Sequence, residues 1–192
     1  MINLKDYEIF SVHTGSLKEL SKDDSSPQGM QYATENEKIA VDFDEVKRLY
    51  VNEQGISENN AYSVDAISHT SDAVVFIEFK NGKVEGNKIK TKIWDSLLVF
   101  GDIVKQTVDY TRQNAEFVLV YNEEKNPPDN QMKKGVVQES SSRLGIAKRF
   151  AQLGKTEFIR WDLERYKKLY FKDVHTYTQA EFEEYANQLI GI

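Results

Sequence analysis

No cysteine occurs among the 192 residues. That absence removes disulfides, thiolate zinc sites and cysteine nucleophiles together, and it fits a reducing, cytoplasmic setting. Histidine is scarce as well. His13, His69 and His175 stand far apart, with no HxH or HExxH spacing, so a histidine-built zinc site is not expected. No apolar run approaches the roughly 18 residues that a membrane span needs. The opening MINLKDYEIF lacks the basic and apolar regions of a secretory leader, so none is expected. Neither GxSxG nor GxxxxGK[ST] occurs, which leaves a serine hydrolase or a P-loop without its sequence mark. Proline falls at two places only, Pro27 and the pair Pro127–Pro128, and marks loops there.

What is present points to one α/β domain spanning 1–192. Hydrophobic residues make up 40% and charged residues 29%, the balance of a globular chain with a real core. Net charge is −6, which argues against a general nucleic-acid coat. The distribution differs from the sum. Lys80, Lys83, Lys88, Lys90, Lys92 and Lys105 fall close together, and a second basic run extends from Arg143 to Lys172. Such runs are either solvated faces or phosphate-binding ones.

Residues 1–40 read as an irregular, polar N-terminal segment. At Asp42, DFDE has the form of a capping box, with Asp42 as N-cap and Glu45 three residues on, followed by an apolar stripe at Val46, Leu49 and Tyr50. Gly55 is the expected stop. Residues 62–69 and 73–80 read as a β-hairpin rich in Val, Ile and Phe. Helical spacing then runs from about Lys88 to Tyr110, and Asp95 is expected to pair with Lys92 or Lys88 of the same helix. EFVLVYN at 116–122 is a strand buried on both faces. A helix at 139–153, a strand at 156–161, and a short helix with an extended piece after it complete the layer over 139–192. The chain closes on a helix capped by Thr178 and Glu181.

One feature of the hairpin is out of place in an apolar strand: Glu78 and Lys80 share a face with Val74 and Phe76. If Ser71 and Asp72 form a two-residue turn, paired residue numbers total 143, and Asp65 lies across from Glu78 on that face. Directly opposed residues have Cβ atoms roughly 4.5–5.5 Å apart, so the two carboxylates repel unless something compensates. A divalent cation is the natural compensation, and hard oxygen donors suit Mg²⁺ or Mn²⁺. A lysine on the same face can orient a water or stabilise a developing phosphate charge. Acid, acid and lysine are the parts that metal-assisted phosphodiester cleavage needs.

The spacing D-x12-E-F-K, carried by Asp65 and Glu78-Phe79-Lys80 and followed by a long helix, resembles the PD-(D/E)xK nuclease superfamily over residues 42–122. The segment IEFKNGK…KIWDSLL is also similar to small bacterial proteins with this nuclease-like core. The resemblance implies a restriction-endonuclease-like core: a central mixed sheet with an acid-bearing antiparallel hairpin, flanked by helices. It implies Asp65 and Glu78 as metal ligands, Lys80 as the lysine serving the hydrolytic water, and Glu45 as a further metal ligand from the preceding helix. Lys83, Lys88, Lys90 and Lys92 are then expected to bind nucleic acid, DNA rather than RNA. Two departures stand out: Val64 precedes Asp65 where proline is common, and GISENN is too short and polar to supply the strand before it. The alternative is a non-catalytic binding protein on the same fold, a defence, toxin–antitoxin or immunity component with a protein partner.

Overall fold

The computed structural model describes residues 2–24, 29–127 and 159–192. The expected helix at 139–153 lies outside these residues, as does the first half of the expected strand at 156–161. Where that strand enters the described part, the backbone turns instead: Trp161 and Asp162 have φ of 57° and 60°.

The helices are α1 (Glu8–Val12), α2 (Leu17–Leu20), α3 (Phe43–Glu53), α4 (Gly86–Val104), α5 (Val108–Asn114) and α6 (Gln179–Ala186). The strands are β1 (Thr14–Ser16), β2 (Lys22–Asp23), β3 (Gln31–Tyr32), β4 (Ile39–Asp42), β5 (Ala66–His69), β6 (Val74–Lys80), β7 (Ala115–Tyr121) and β8 (Asp173–Thr178). Six of them form one mixed sheet in the order β1-β4-β5-β6-β7-β8, antiparallel up to β6 and parallel beyond it. Helices cover both faces, as expected of an α/β layered chain.

The hairpin forms in the anticipated register. Ala66 pairs with Ile77 and His69 with Val74, and the Thr70 N–H donates to the Ala73 carbonyl at 2.8 Å across the Ser71–Asp72 turn. The Thr70 hydroxyl accepts from the Ala73 N–H at 3.1 Å, so the turn is closed from both sides. Alternation then sorts β6. Val74 and Phe76 join the core under α1, α3 and α4, while Val75, Ile77 and Phe79 pack with Phe182, Tyr185 and Leu189 of the C-terminal segment. With both faces covered, β6 and β7 carry apolar runs rather than a polar alternation. At α6, Thr178 and Glu181 form the complete capping box expected of them.

Three expectations need correction. Residues 1–40 are not irregular throughout: β1 pairs with β4 and extends the sheet, and Phe10 of α1 is fully buried, stacked on Phe100 at 5.9 Å. The strand next to the Asp65 strand is therefore β4, which precedes α3 rather than following it. Only half of the capping box at Asp42 exists. The Asp42 side chain accepts from the Glu45 N–H at 3.0 Å, but the Asp42 N–H is already donated to the His13 carbonyl as β1 meets β4. Glu45 has no donor to return to. The long helix also breaks into α4 and α5, because Lys105 turns left-handed (φ 54°) and the Lys105 and Gln106 N–H groups both close on the Gly101 carbonyl.

That break makes Gly101 a position where alanine should destabilise, although alanine is normally the better helix residue by about 1 kcal/mol. A Cβ at Gly101 would stand 2.9 Å from the Gln106 carbonyl oxygen, a backbone atom that cannot swing away. Thermal unfolding of Gly101→Ala should show a loss of about 1–3 kcal/mol. An unchanged or raised melting temperature would mean that the turn yields freely.

Candidate active site

Asp65 stands one residue before β5, fixed by its neighbours. The Val64 N–H donates to the Ser96 hydroxyl of α4 at 2.9 Å, and the Asp65 carbonyl accepts from the Phe43 N–H at 3.1 Å. Across the hairpin, the Phe79 N–H donates to Asp65 Oδ2 at 2.6 Å, which anchors the carboxylate beside β6. Glu78 lies on the Val74–Phe76 face and is 1% exposed. The two acids therefore converge on one face, beneath α4, as the register required.

Their compensation within the chain is Lys92. Ile89 and Ile93 bury the core side of α4, and Lys92, beside them on the next turn, reaches down to the acids. Its Nζ lies 3.1 Å from Asp65 Oδ1 and 2.8 Å from both carboxylate oxygens of Glu78. Only Oε2 receives the ammonium with hydrogen-bond geometry. Glu78 Oε1 is buried without any hydrogen-bond partner.

Burial pushes the Glu78 carboxyl well above its ordinary range, and the Asp65 charge pushes it further. Burial also raises Asp65, against the pull of Lys92. For Lys92, burial alone would lower the ammonium's pKa, but the charges of Asp65 and Glu78 outweigh it and hold the group firmly protonated. Two acids thus share one fixed positive charge.

The other expected residues divide. Lys80 ends β6 on the Glu78 face and its charge helps Glu78 to ionise, yet it forms no ion pair within 4.0 Å among the described residues. The lysine touching both acids is Lys92. Lys92 in turn is not a surface contact for nucleic acid here, since its side chain is 22% exposed and doubly paired. Of the remaining set, Lys83 is exposed, Lys88 pairs with Glu85 at 2.9 Å, and Lys90 pairs with Asp162 at 3.5 Å. Asp95 accepts from the Tyr62 N–H at 2.9 Å rather than pairing with a lysine of its own helix.

Glu45 pairs with Arg48 instead, with Nε 2.7 Å from Oε2. The acid of α3 whose charge is felt at the site is Asp44, which raises both Asp65 and Lys92 and accepts a hydrogen bond from the Ser63 hydroxyl. One helical residue rotates a side chain by about 100°, and that step separates Asp44 from Glu45. Sequence reasoning missed Asp44, and assigned Lys92 to nucleic acid rather than to the acid pair. The signal for Asp44 was the second acid in DFDE; for Lys92 it was a basic residue beside the apolar stripe.

Among the described residues no group of three or more His, Asp or Glu side chains is arranged to hold a metal ion. The donor set at the hairpin is thus two carboxylates, one of whose oxygens, Glu78 Oε1, takes no hydrogen bond. That set fits Mg²⁺ or Mn²⁺, which commonly take one or two carboxylates and complete their shell with water and phosphate. No described helix is long and apolar enough to cross a membrane. No family model matches the chain, and no curated protein or solved structure matches it.

Proposed function

We propose that the chain is a cytoplasmic, metal-dependent phosphodiesterase of nuclease type, built on a restriction-endonuclease-like core and acting on DNA in preference to RNA. The observation that carries the reading is a pair of carboxylates on one face of a central hairpin, Asp65 and the buried Glu78, whose Oε1 takes no hydrogen bond although the Lys92 ammonium stands 2.8 Å away. One ammonium shared by two buried carboxylates leaves their oxygens short of hydrogen-bond donors, and a ligand that completes them relieves that shortage. The order α3, β5, β6, α4, β7, with β6 and β7 parallel, supports the core assignment.

In this reading Asp65 and Glu78 hold Mg²⁺ or Mn²⁺, which when bound supplies a Lewis acid and a nucleophilic water near neutral pH. Lys80, at the open end of β6 and partly exposed, orients the attacking water or stabilises the developing phosphate charge. Lys83, Lys88 and Lys90 lie along the approach at the start of α4 and position the phosphate backbone. The test is cleavage of plasmid, single-stranded DNA and RNA with Mg²⁺ or Mn²⁺, stopped by chelator. A folded protein that binds metal and cuts none of the three overturns the catalytic reading.

A second reading, a non-catalytic binding protein with a partner, is favoured by one observation: Lys92 already neutralises part of the acid pair inside the fold. Salt dependence separates the two. Each duplex phosphate contact contributes roughly 0.9 log units of affinity per log unit of salt. Two to three contacts among Lys83, Lys88 and Lys90 should give a slope of roughly −2 to −3 in filter binding. Binding absent at low salt, or indifferent to salt, favours the protein-partner reading.

A further inference from the structure

The Lys92 ammonium lies 3.1 Å from Asp65 and 2.8 Å from Glu78, at the point a cation shared by both carboxylates would occupy. Two positive charges cannot occupy that point together. Like charges a few ångströms apart repel strongly wherever water is scarce, and Glu78 is 1% exposed. The acids alone would not make a site; Glu78 Oε1, buried and without a hydrogen bond even though the ammonium stands 2.8 Å away, is the independent sign that the pair accepts more than one ammonium supplies.

Resting on the metal reading above, we propose that Lys92 is a built-in counter-ion that a divalent cation must displace. The side chain can leave. Four methylenes separate the ammonium from the backbone, and 22% of the side chain is already exposed beside the edge of α4. Its hydrogen bonds among the described residues go to Asp65 and Glu78, and Asp44 acts on it through charge alone. Displaced from the acids, the ammonium moves toward solvent on the helix that carries Lys88 and Lys90, where phosphate would lie. Loading the site with metal therefore frees the residue that the sequence assigns to nucleic acid. Metal binding and phosphate binding become coupled, each favouring the other. Lys92 also sets a threshold: only a cation that outcompetes a tethered ammonium enters, which disfavours monovalent ions.

The experiment has two readouts that do not depend on activity. Calorimetric titration with Mn²⁺ alone compares wild type, Lys92→Met and Lys105→Met, the last removing a lysine paired with Asp102 elsewhere on the molecule. Lys92→Met should bind Mn²⁺ about tenfold more tightly or better, equivalent to about 1.4 kcal/mol, with Lys105→Met unchanged. In wild type, amine acylation followed by mass spectrometry should find Lys92 protected without metal and several-fold more reactive with saturating Mg²⁺. This readout stands if Lys92→Met fails to fold. Wild type that binds metal while Lys92 stays protected overturns the inference and leaves the metal reading intact, as does equal or weaker Mn²⁺ affinity in a folded Lys92→Met. Failure of every form to bind Mn²⁺ or Mg²⁺ overturns both.

Discussion

Glu78→Gln is expected to abolish metal-dependent cleavage and, in the same protein, to raise the melting temperature measured without metal. The two effects have one cause. Glutamine keeps the shape of the side chain but cannot supply the charge that holds a cation, so turnover should fall by roughly three orders of magnitude or more. Without metal, that charge is a burden. Burial first, and then the Asp65 charge, push the Glu78 carboxyl upward, so the fold prefers it neutral. With Glu78 neutral, Asp65 and Lys92 remain as a balanced pair 3.1 Å apart. A gain of about 1–2 kcal/mol is expected, within the range seen when buried ionic groups are replaced, or about 2–8 °C for a chain this size.

The pH dependence follows with a definite sign. A carboxyl whose folded value lies above its ordinary 4.5 binds more protons folded than unfolded. Its penalty is absent below the ordinary value and grows as pH rises from there toward the folded one. The advantage of Glu78→Gln should grow as pH rises above 4.5 and shrink on acidification toward it. Melting temperatures from pH 4.5 to 8 check this. A less stable Glu78→Gln at pH 7 would mean that the Lys92 contact outweighs burial.

Phe76→Ala tests the scaffold rather than the chemistry, and should be the most destabilising core truncation near the site. The ring is fully buried and meets Phe43, Phe100 and Phe171 edge-on, at 6.3, 5.1 and 5.5 Å. Those partners come from α3, α4 and the segment before β8, so one side chain joins three elements over β6. Removing it costs the transfer of the ring and leaves a cavity that three rings cannot fill, about 3–5 kcal/mol. Urea unfolding should show a lower midpoint at constant slope. A loss under about 1 kcal/mol would contradict the packing of α4 on this face.

How much was legible depended on where the information resides. The hairpin and its register were readable because a turn, an alternation and two β-rich runs agree over adjacent residues. Thr178 and Glu181 were readable for the same reason, since a capping box closes on itself. β1 and β4 were not: strands of three and four residues carry too few alternations, and they exist because each pairs with another part of the chain. The α4–α5 break was hidden because Val104 and Val108 continue the apolar spacing across it. Strand alternation correctly put Lys80 on the acid face. Which lysine reaches the acids is decided by how α4 crosses the sheet, and no spacing in the sequence encodes that. Asp44 and Glu45 differ by one step of a helix whose cap was half right.

The sheet's mixed pairing also orders events in time. The β5–β6 hairpin closes over a two-residue turn, whereas β7 must wait for the helices between it and β6, and β8 for a longer stretch still. Local contacts form early because they close short loops, and parallel pairing over long separations comes late. Asp65 and Glu78 are therefore expected to come together before the helix carrying Lys92 docks. The nascent hairpin holds two like charges with nothing between them, and the arrival of α4 relieves that repulsion. The like-charge pair thus becomes, along this expected route, an attraction that guides one helix onto the correct face of the sheet.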